Sequence, residues 1–133
     1  VASTFINSSD IVKLHTIFDI PSEELKYYYS AADCLIMTSF HEGSPNVIKE
    51  AMACNCPIVS TPVGDVKWVL GNTNGCFIAD FSVNSFSSAV AKAIDFSQKI
   101  GRTDGRNRII ELGLDTETTA KKIIEIYNRI LSK

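Results

Sequence analysis

Short, continuous apolar runs along the chain indicate strands that are covered on both faces. Such runs are typical of parallel sheets, where helices pack on each side of the strands. A segment rich in β-branched residues near the start of the chain also predicts a strand. The predicted strands are residues 11–18, 34–39, 57–60 and 76–79.

Between these runs, apolar residues recur at every third or fourth position, which predicts amphipathic helices. Ser22 precedes one such segment as a candidate N-cap, and residues 117–131 end the chain with a single apolar stripe. The predicted helices are residues 23–33, 45–54, 85–96, 101–113 and 117–131, with a short one carrying Val66, Val69 and Leu70. Strands that alternate with helices predict an α/β domain with a mainly parallel sheet.

Composition narrows the classes of function. The length of 133 residues fits one domain, and a net charge of −2 argues against broad attraction to nucleic acid. No apolar run approaches the roughly 20 residues that cross a bilayer. The four cysteines offer only a C-x-C pair at Cys54 and Cys56, which does not fit a zinc site. We therefore expect no metal site and reduced, buried thiols, as in cytoplasmic proteins.

Residues 41–50 form the segment with the most specific chemistry. They follow a predicted strand and open a helix, and ligands of open parallel sheets bind beyond the carboxyl ends of the strands. Ser44 and Pro45 are predicted as N-cap and first helical residue. The free amides of the first turn favour phosphate, and Gly43 lets the backbone approach a ligand.

Two carboxylates flank this helix start. Glu42 precedes the helix, whereas Glu50 lies inside it, shares a face with Asn46 and Val47, and leans toward the N-terminal end. A carboxylate at that place could accept hydrogen bonds from a ribose diol. On spacing alone the alternative stays open, because a Ser-Pro helix start is common and two glutamates at this distance also occur by chance.

The order of motifs around the two glutamates carries a resemblance to a known family. Glu42-x7-Glu50, followed by Ala51-Met52-Ala53-Cys54 and by residues 57–61, resembles the Glu-x7-Glu signature of retaining glycosyltransferases of family 4, which have the GT-B fold. Residues 20–25, 29–33, 62–66 and 117–131 are similar to the same family in the same order. Asn55 stands where the family often has Gly, and Asn tolerates the left-handed turn expected there.

The resemblance implies a Rossmann-like fold: an α/β, mainly parallel sheet flanked by helices. Residues 1–133 would be a single domain, the later part of the C-terminal nucleotide-sugar-binding domain of a GT-B enzyme. The N-terminal acceptor domain, the opening strands and a phosphate-gripping Arg and Lys would lie elsewhere in the parent enzyme. We therefore expect a sugar-transferring parent and a chain that is inactive by itself.

The resemblance also implies roles for individual residues. Glu42 is the catalytic candidate, and Glu42, Gly43 and Ser44 would approach the donor sugar. The backbone around Pro45, Asn46 and Val47 would lie near the diphosphate, and Glu50 would hold the ribose hydroxyls. Asp19 and Ile20 are weaker candidates for contact with the base. The donor is a substrate, and neither a cofactor nor a metal is expected.

Two further questions follow from this assignment. A non-catalytic nucleotide-sugar-binding module would use the same corner and is the alternative function. A dinucleotide-dependent oxidoreductase is rejected, because the chain has no G-x-G-x-x-G run. The expected location is the cytoplasm, and lipid or polysaccharide acceptors leave open a peripheral association of the parent with the inner face of the membrane.

Overall fold

Within the part of the chain that the structure describes, three parallel strands form one sheet, with the second of them in chain order at its centre. A computed structural model describes residues 12–17 and 19–132. In chain order the elements are α1 (Ser22–Ala31), β1 (Leu35–Met37), α2 (Asn46–Ala53), β2 (Ile58–Ser60), α3 (Val66–Leu70), β3 (Cys76–Ile78), α4 (Val83–Lys99), α5 (Gly105–Glu111) and α6 (Thr116–Leu131). The predicted alternation of strands and helices is confirmed, and with it the α/β fold class.

The central strand β2 contributes side chains to the apolar clusters on both faces of the sheet. Its residues pair with Leu35–Met37 on one side and with Cys76–Ile78 on the other. Successive side chains of a strand point to opposite faces, so Ile58 and Val59 belong to different apolar clusters. Both are fully buried, as the continuous apolar run predicted.

Helices cover both faces of the sheet. On one face, buried residues of α1, α2, α3 and α5 form the larger cluster, which includes Tyr29, Ile48, Met52, Val69 and Ile109. On the other face, α4 supplies Phe86, Ala89, Val90 and Ala93 to the smaller cluster. The site described below therefore stands on a strand–helix unit that is packed into the larger core.

The strand predicted at residues 11–18 is wrong for the part that the structure describes. Residues 12–17 form neither helix nor strand, and residues 11 and 18 lie outside the described residues. Val12 is 41% exposed and Leu14 is 59% exposed. Strand propensity records how well a side chain fits a half-buried sheet surface, and among the described residues no strand pairs with residues 12–17.

Two predicted N-caps are each wrong by one residue. The N-cap of α1 is Pro21 rather than Ser22, and the N-cap of α2 is Pro45 rather than Ser44. Ser44 does not cap the helix, because its hydroxyl is bonded to Asp65 instead. Proline suits both positions, since the amide that it lacks has no partner at a helix start.

The last helix, α6, was correctly predicted, but its apolar stripe is not buried. All of its described residues are exposed apart from Thr118 near its start. Asp115 caps the helix by accepting a hydrogen bond from the Thr118 amide at 2.9 Å. The stripe comprises Ile123, Ile124, Tyr127, Ile130 and Leu131, each at least 49% exposed. Helical periodicity thus gave the conformation of this segment and not its burial.

Candidate functional site: the carboxyl edge of the sheet

Three loops lie side by side where the three strands end. The loop after β1 spans residues 38–45, the loop after β2 spans residues 61–65, and β3 continues into Asp80 and Phe81. Thr61 ties the first two together, since its amide donates to Met37 O at 3.1 Å and its hydroxyl to Ser39 O at 2.6 Å. Phe40 stacks on Phe81 with a ring-centroid distance of 5.4 Å. The loop that carries Glu42 therefore lies at the edge where ligands of parallel sheets bind.

Gly64 holds the backbone of the Glu42 loop in place. The Asp65 amide donates to Gly43 O at 3.0 Å, and Gly64 has a φ of +52°. A Cβ added at Gly64 would lie 2.2 Å from Gly43 O and 2.8 Å from Glu42 O. Glycine is the one residue that allows both this left-handed backbone and this close approach. The conformation of the Glu42–Gly43 segment is therefore set by the neighbouring loop.

A chain of side-chain hydrogen bonds adds to that contact. Lys49 Nζ donates to Ser44 Oγ at 2.5 Å, and Ser44 Oγ donates to Asp65 Oδ2 at 2.5 Å. Lys49 Nζ also lies 3.4 Å from Ser44 O. Through Ser44, these hydrogen bonds link Lys49 on α2 to Asp65 in the loop after β2. These contacts place the ammonium of Lys49, a residue to which the sequence assigned no role, at the corner.

The start of α2 presents unpaired backbone amides. No side chain caps the helix at Pro45. Among the described residues, no backbone acceptor outside the helix bonds the amides of Gly43, Ser44, Asn46 or Val47. Such amides, together with the helix dipole, make an environment that suits an anion.

Burial along α2 divides the helix into two faces. Ile48, Ala51 and Met52 are buried, whereas Val47 is 39% exposed. The helix begins at Asn46, so Val47 lies in its first turn and faces away from the core. Asn46 and Val47 are therefore both exposed residues at the start of the helix.

Glu50 lies on the inner side of this corner. It is partly buried, and its Oε2 accepts a hydrogen bond of 2.9 Å from the Tyr29 hydroxyl on α1. Burial raises the pKa of Tyr29, and the hydrogen bond to the Glu50 carboxylate raises it further. Tyr29 therefore remains a protonated donor at neutral pH. By contrast, the side chain of Glu42 is exposed.

The predicted contacts to the base, Asp19 and Ile20, lie just before α1. Asp19 is exposed and Ile20 partly buried. Asp19 has a φ of +51°, which Asp tolerates better than most residues. The loop residues Glu42–Pro45 lead directly into α2, which carries Asn46, Val47 and Glu50. Asp19 and Ile20 thus precede the helix whose Tyr29 bonds Glu50.

Sequence analysis missed three residues of the corner: Tyr29, Lys49 and Asp65. Tyr29 was read as one residue of a helix face, although nothing in its spacing pointed to Glu50. Lys49 carried a signal, since it is a basic residue inside the Glu-x7-Glu segment. Asp65 directly follows Gly64. A glycine in a loop is a sequence signal for a close backbone approach, and that signal would have pointed to Asp65 as its neighbour.

The cysteines do not contribute to the site. All four are free, as predicted, but only Cys56 is fully buried, and the other three are partly buried. Burial raises the pKa of Cys34 and of Cys76 to about 12, which disfavours the nucleophilic thiolate. Within the described residues, no three His, Cys, Asp or Glu residues gather as metal ligands. In the same part of the chain, no helix has the length and apolarity to span a bilayer.

The chain matches one family model and is similar to several characterised proteins. The family model described as "Glycosyl transferases group 1" matches residues 7–95. The chain is 26% identical over 129 residues to the MMP alpha-(1->4)-mannosyltransferase of Mycolicibacterium hassiacum, covering 94% of this chain and 31% of that protein. It is 27% identical over 121 residues to the phosphatidylinositol N-acetylglucosaminyltransferase GPI3 subunit of Saccharomyces cerevisiae, covering 90% and 27%.

A solved structure confirms the fold. The sucrose-phosphate synthase of Thermosynechococcus elongatus superposes with a TM-score of 0.76 at 24% identity, covering 87% of this chain and 30% of that one. The predicted Rossmann-like, GT-B type of fold is therefore confirmed. The chain spans between 19% and 31% of the lengths of the first curated relatives that it matches.

Proposed function

Because the chain belongs to the glycosyl transferases group 1 family, we propose that it is the donor-binding part of a retaining glycosyltransferase. The parent enzyme transfers a sugar from a nucleotide-sugar to a glycan, lipid or small-molecule acceptor. Residues 1–133 form the later part of the donor-binding domain. The acceptor domain belongs to the remainder of the parent.

One observation carries the proposal: an uncapped helix start at the carboxyl edge of the sheet, with a carboxylate on either side of it. The first-turn amides of α2 face a position that suits the diphosphate. Glu50 is partly buried and held by Tyr29 at 2.9 Å, so it suits the ribose hydroxyls. Glu42 projects from an exposed loop whose backbone is fixed by Gly64, so it suits the donor sugar.

Electrostatics links this geometry to sugar transfer. When the bond between the anomeric carbon and the diphosphate breaks, the electron pair leaves with the diphosphate, and negative charge grows there. Helix N-termini and cations stabilise such charge most when they are already in place. The start of α2 and the Lys49 ammonium, bonded to Ser44, provide both in this chain. Glu42 acts as the catalytic residue beside the sugar, and the proposal includes no cofactor or resident metal.

Calorimetric titration with UDP-, GDP- and ADP-sugars tests donor binding. We expect one of these classes to bind and Glu50→Ala to weaken its binding by roughly 10- to 100-fold, because hydrogen bonds to a charged group contribute about 1.5–3 kcal/mol. Glu125→Ala is the matched control, since Glu125 is an exposed glutamate on α6. Unchanged affinity in Glu50→Ala would exclude the ribose role.

Sugar transfer is the second measurement. We expect no transfer by this chain alone, because it spans under a third of the related enzymes that it matches and the proposal places the acceptor site in the remainder. Measurable transfer to any acceptor by the purified chain would contradict this expectation. In the parent enzyme, Glu42→Gln should abolish most transfer while donor binding persists.

A further inference from the structure

We propose that Tyr29 is a positioning residue, which fixes the Glu50 carboxylate so that it meets the ribose of the donor. The inference rests on the proposed function and names a residue that the family motif around Glu50 does not contain. Its basis is the hydrogen bond from the Tyr29 hydroxyl to Glu50 Oε2, 2.9 Å long, between residues 21 positions apart in sequence.

The Tyr29 ring is itself firmly held. Tyr29 is 7% exposed and packs in the larger core cluster. Arg102 fastens the end of α1 to the end of α2. Its Nη2 donates to Tyr29 O at 2.6 Å and to Cys54 O at 3.0 Å, and its Nη1 donates to Ala32 O at 2.8 Å. The tyrosine hydroxyl therefore stands at a fixed place relative to α2.

A fixed donor at this place selects one conformation of a flexible side chain. A glutamate loses substantial rotamer freedom when it is immobilised, and a ligand that must order it binds less tightly. With Oε2 already bonded to Tyr29, that loss occurs on folding rather than on binding. A phenol has a single proton to donate, so Oε1 remains free to accept hydrogen bonds from a diol.

The neighbouring tyrosines do not share this arrangement. Tyr27 is 65% exposed and Tyr28 is 41% exposed, and among the described contacts neither donates to Glu50. Two of the three consecutive tyrosines therefore face outward, and only Tyr29 is buried. Tyr28 thus provides a matched control: the same residue type on the same helix, next in sequence, without the contact.

The experiment compares Tyr29→Phe with Tyr28→Phe. Binding of UDP, GDP and ADP is measured by calorimetry, and the tightest of the three is then compared with its 2′,3′-dideoxy analogue. Tyr29→Phe keeps the buried ring and removes the hydroxyl. We expect the affinity for the nucleotide to fall about fivefold in Tyr29→Phe, as for the typical net contribution of one hydrogen bond, and to stay unchanged in Tyr28→Phe.

The dideoxy analogue separates positioning from a general structural effect. If Tyr29 acts through Glu50 on the ribose, the analogue binds equally to the wild type and to Tyr29→Phe, and adding Tyr29→Phe to Glu50→Ala has no further effect. Equal weakening for both ligands would mean that the variant disturbs the corner as a whole, and would overturn the inference. Urea unfolding of each variant shows that the compared proteins are folded.

The two levels of the proposal fail in different ways. Nucleotide binding by the wild type that is undiminished in Tyr29→Phe would overturn the positioning role alone and leave donor binding intact. A wild-type chain that binds none of the three nucleotides would overturn the proposed function and this inference with it. A loss in Tyr29→Phe confined to the ribonucleotide supports both.

Discussion

The two carboxylates of the corner are held in opposite ways. Glu50 stands on a helix packed into the core, and its Oε2 is bonded to a buried tyrosine. Glu42 is exposed on a loop, and the contacts that fix this loop are made by its backbone, against Gly64 and Asp65. The position of Glu50 is thus set by side-chain packing, whereas the position of Glu42 is set by the close approach of two backbone segments.

The positions of the two carboxylates should therefore be sensitive to different substitutions. The position of Glu50 should be disturbed by lost core volume, because it depends on α2 remaining packed. The position of Glu42 should be disturbed by added atoms at Gly64, since the close approach leaves no room for them. Substitutions at exposed positions nearby should disturb neither strongly.

The largest expected effect concerns the packing of α2. Ile48→Ala removes a side chain that is 1% exposed, and we expect a loss of about 3–4 kcal/mol in the free energy of unfolding. Val47→Ala, one residue earlier on the same helix, should change it by no more than about 0.5 kcal/mol. Urea unfolding measures both, and similar losses for the two variants would contradict the division of α2 into a buried and an exposed face.

Gly64→Ala should have the next largest effect, about 2–3 kcal/mol, because it adds a Cβ at a positive φ and against two carbonyls. Gly101→Ala is a control for the backbone conformation alone, since Gly101 has a φ of +96° with nothing within 4 Å of the added carbon. Gly43→Ala, also in open space, controls for the loop. If Gly64→Ala and Gly101→Ala lose the same stability, the close approach of the two loops is not present.

Asp65→Ala should reduce the free energy of unfolding by about 1 kcal/mol, the usual contribution of one hydrogen bond. It removes the acceptor of the Ser44 hydroxyl. We also expect shifted NMR amide signals at Gly43 and Ser44. Asp95→Ala serves as a control, because it breaks only an exposed pair with Lys99 and should cost no more than about 0.5 kcal/mol. Unmoved Gly43 and Ser44 signals in Asp65→Ala would show that the loop holds its place without this side chain.

The smallest expected effect on stability is that of Glu42→Gln. The side chain is exposed, so we expect a change within about 0.5 kcal/mol in urea unfolding. This variant makes the contrast with Glu50 sharpest, because the proposal gives Glu42 a role in transfer and none in folding. A loss well above this limit would show that the folded protein uses the Glu42 carboxylate as a structural group.

Several features were predictable because the physics behind them is local. The conformation of Asn55 is one: it stands where the family often has Gly, and its φ is +54°, as expected of a residue that tolerates the left-handed region. The buried strand at Ile58–Ser60 is another, since a continuous apolar run has few alternatives. Periodicity also predicted the helices of residues 46–53 and 116–131, with each end correct to within one residue.

The errors arose where local preference competes with the rest of the fold. Residues 12–17 have strand-like composition, but no strand of the described part of the chain pairs with them. Ser44 has the chemistry of an N-cap, yet its hydroxyl finds Asp65 instead. In both cases the deciding partner is distant in sequence, so a pattern within one segment carries no information about it.

The sequence by itself determined the α/β class, the order of most elements, the family and the place of the corner between Glu42 and Glu50. Those features follow from periodicity, turn chemistry and motif order, which are properties of contiguous residues. The tertiary structure was needed to show that the Tyr29 hydroxyl bonds Glu50, that Gly64 packs against the backbone of the Glu42 loop and that the apolar stripe of α6 stays exposed. Contacts of that kind depend on how separate elements pack, and packing depends on shape in three dimensions, which residue spacing along the chain does not encode.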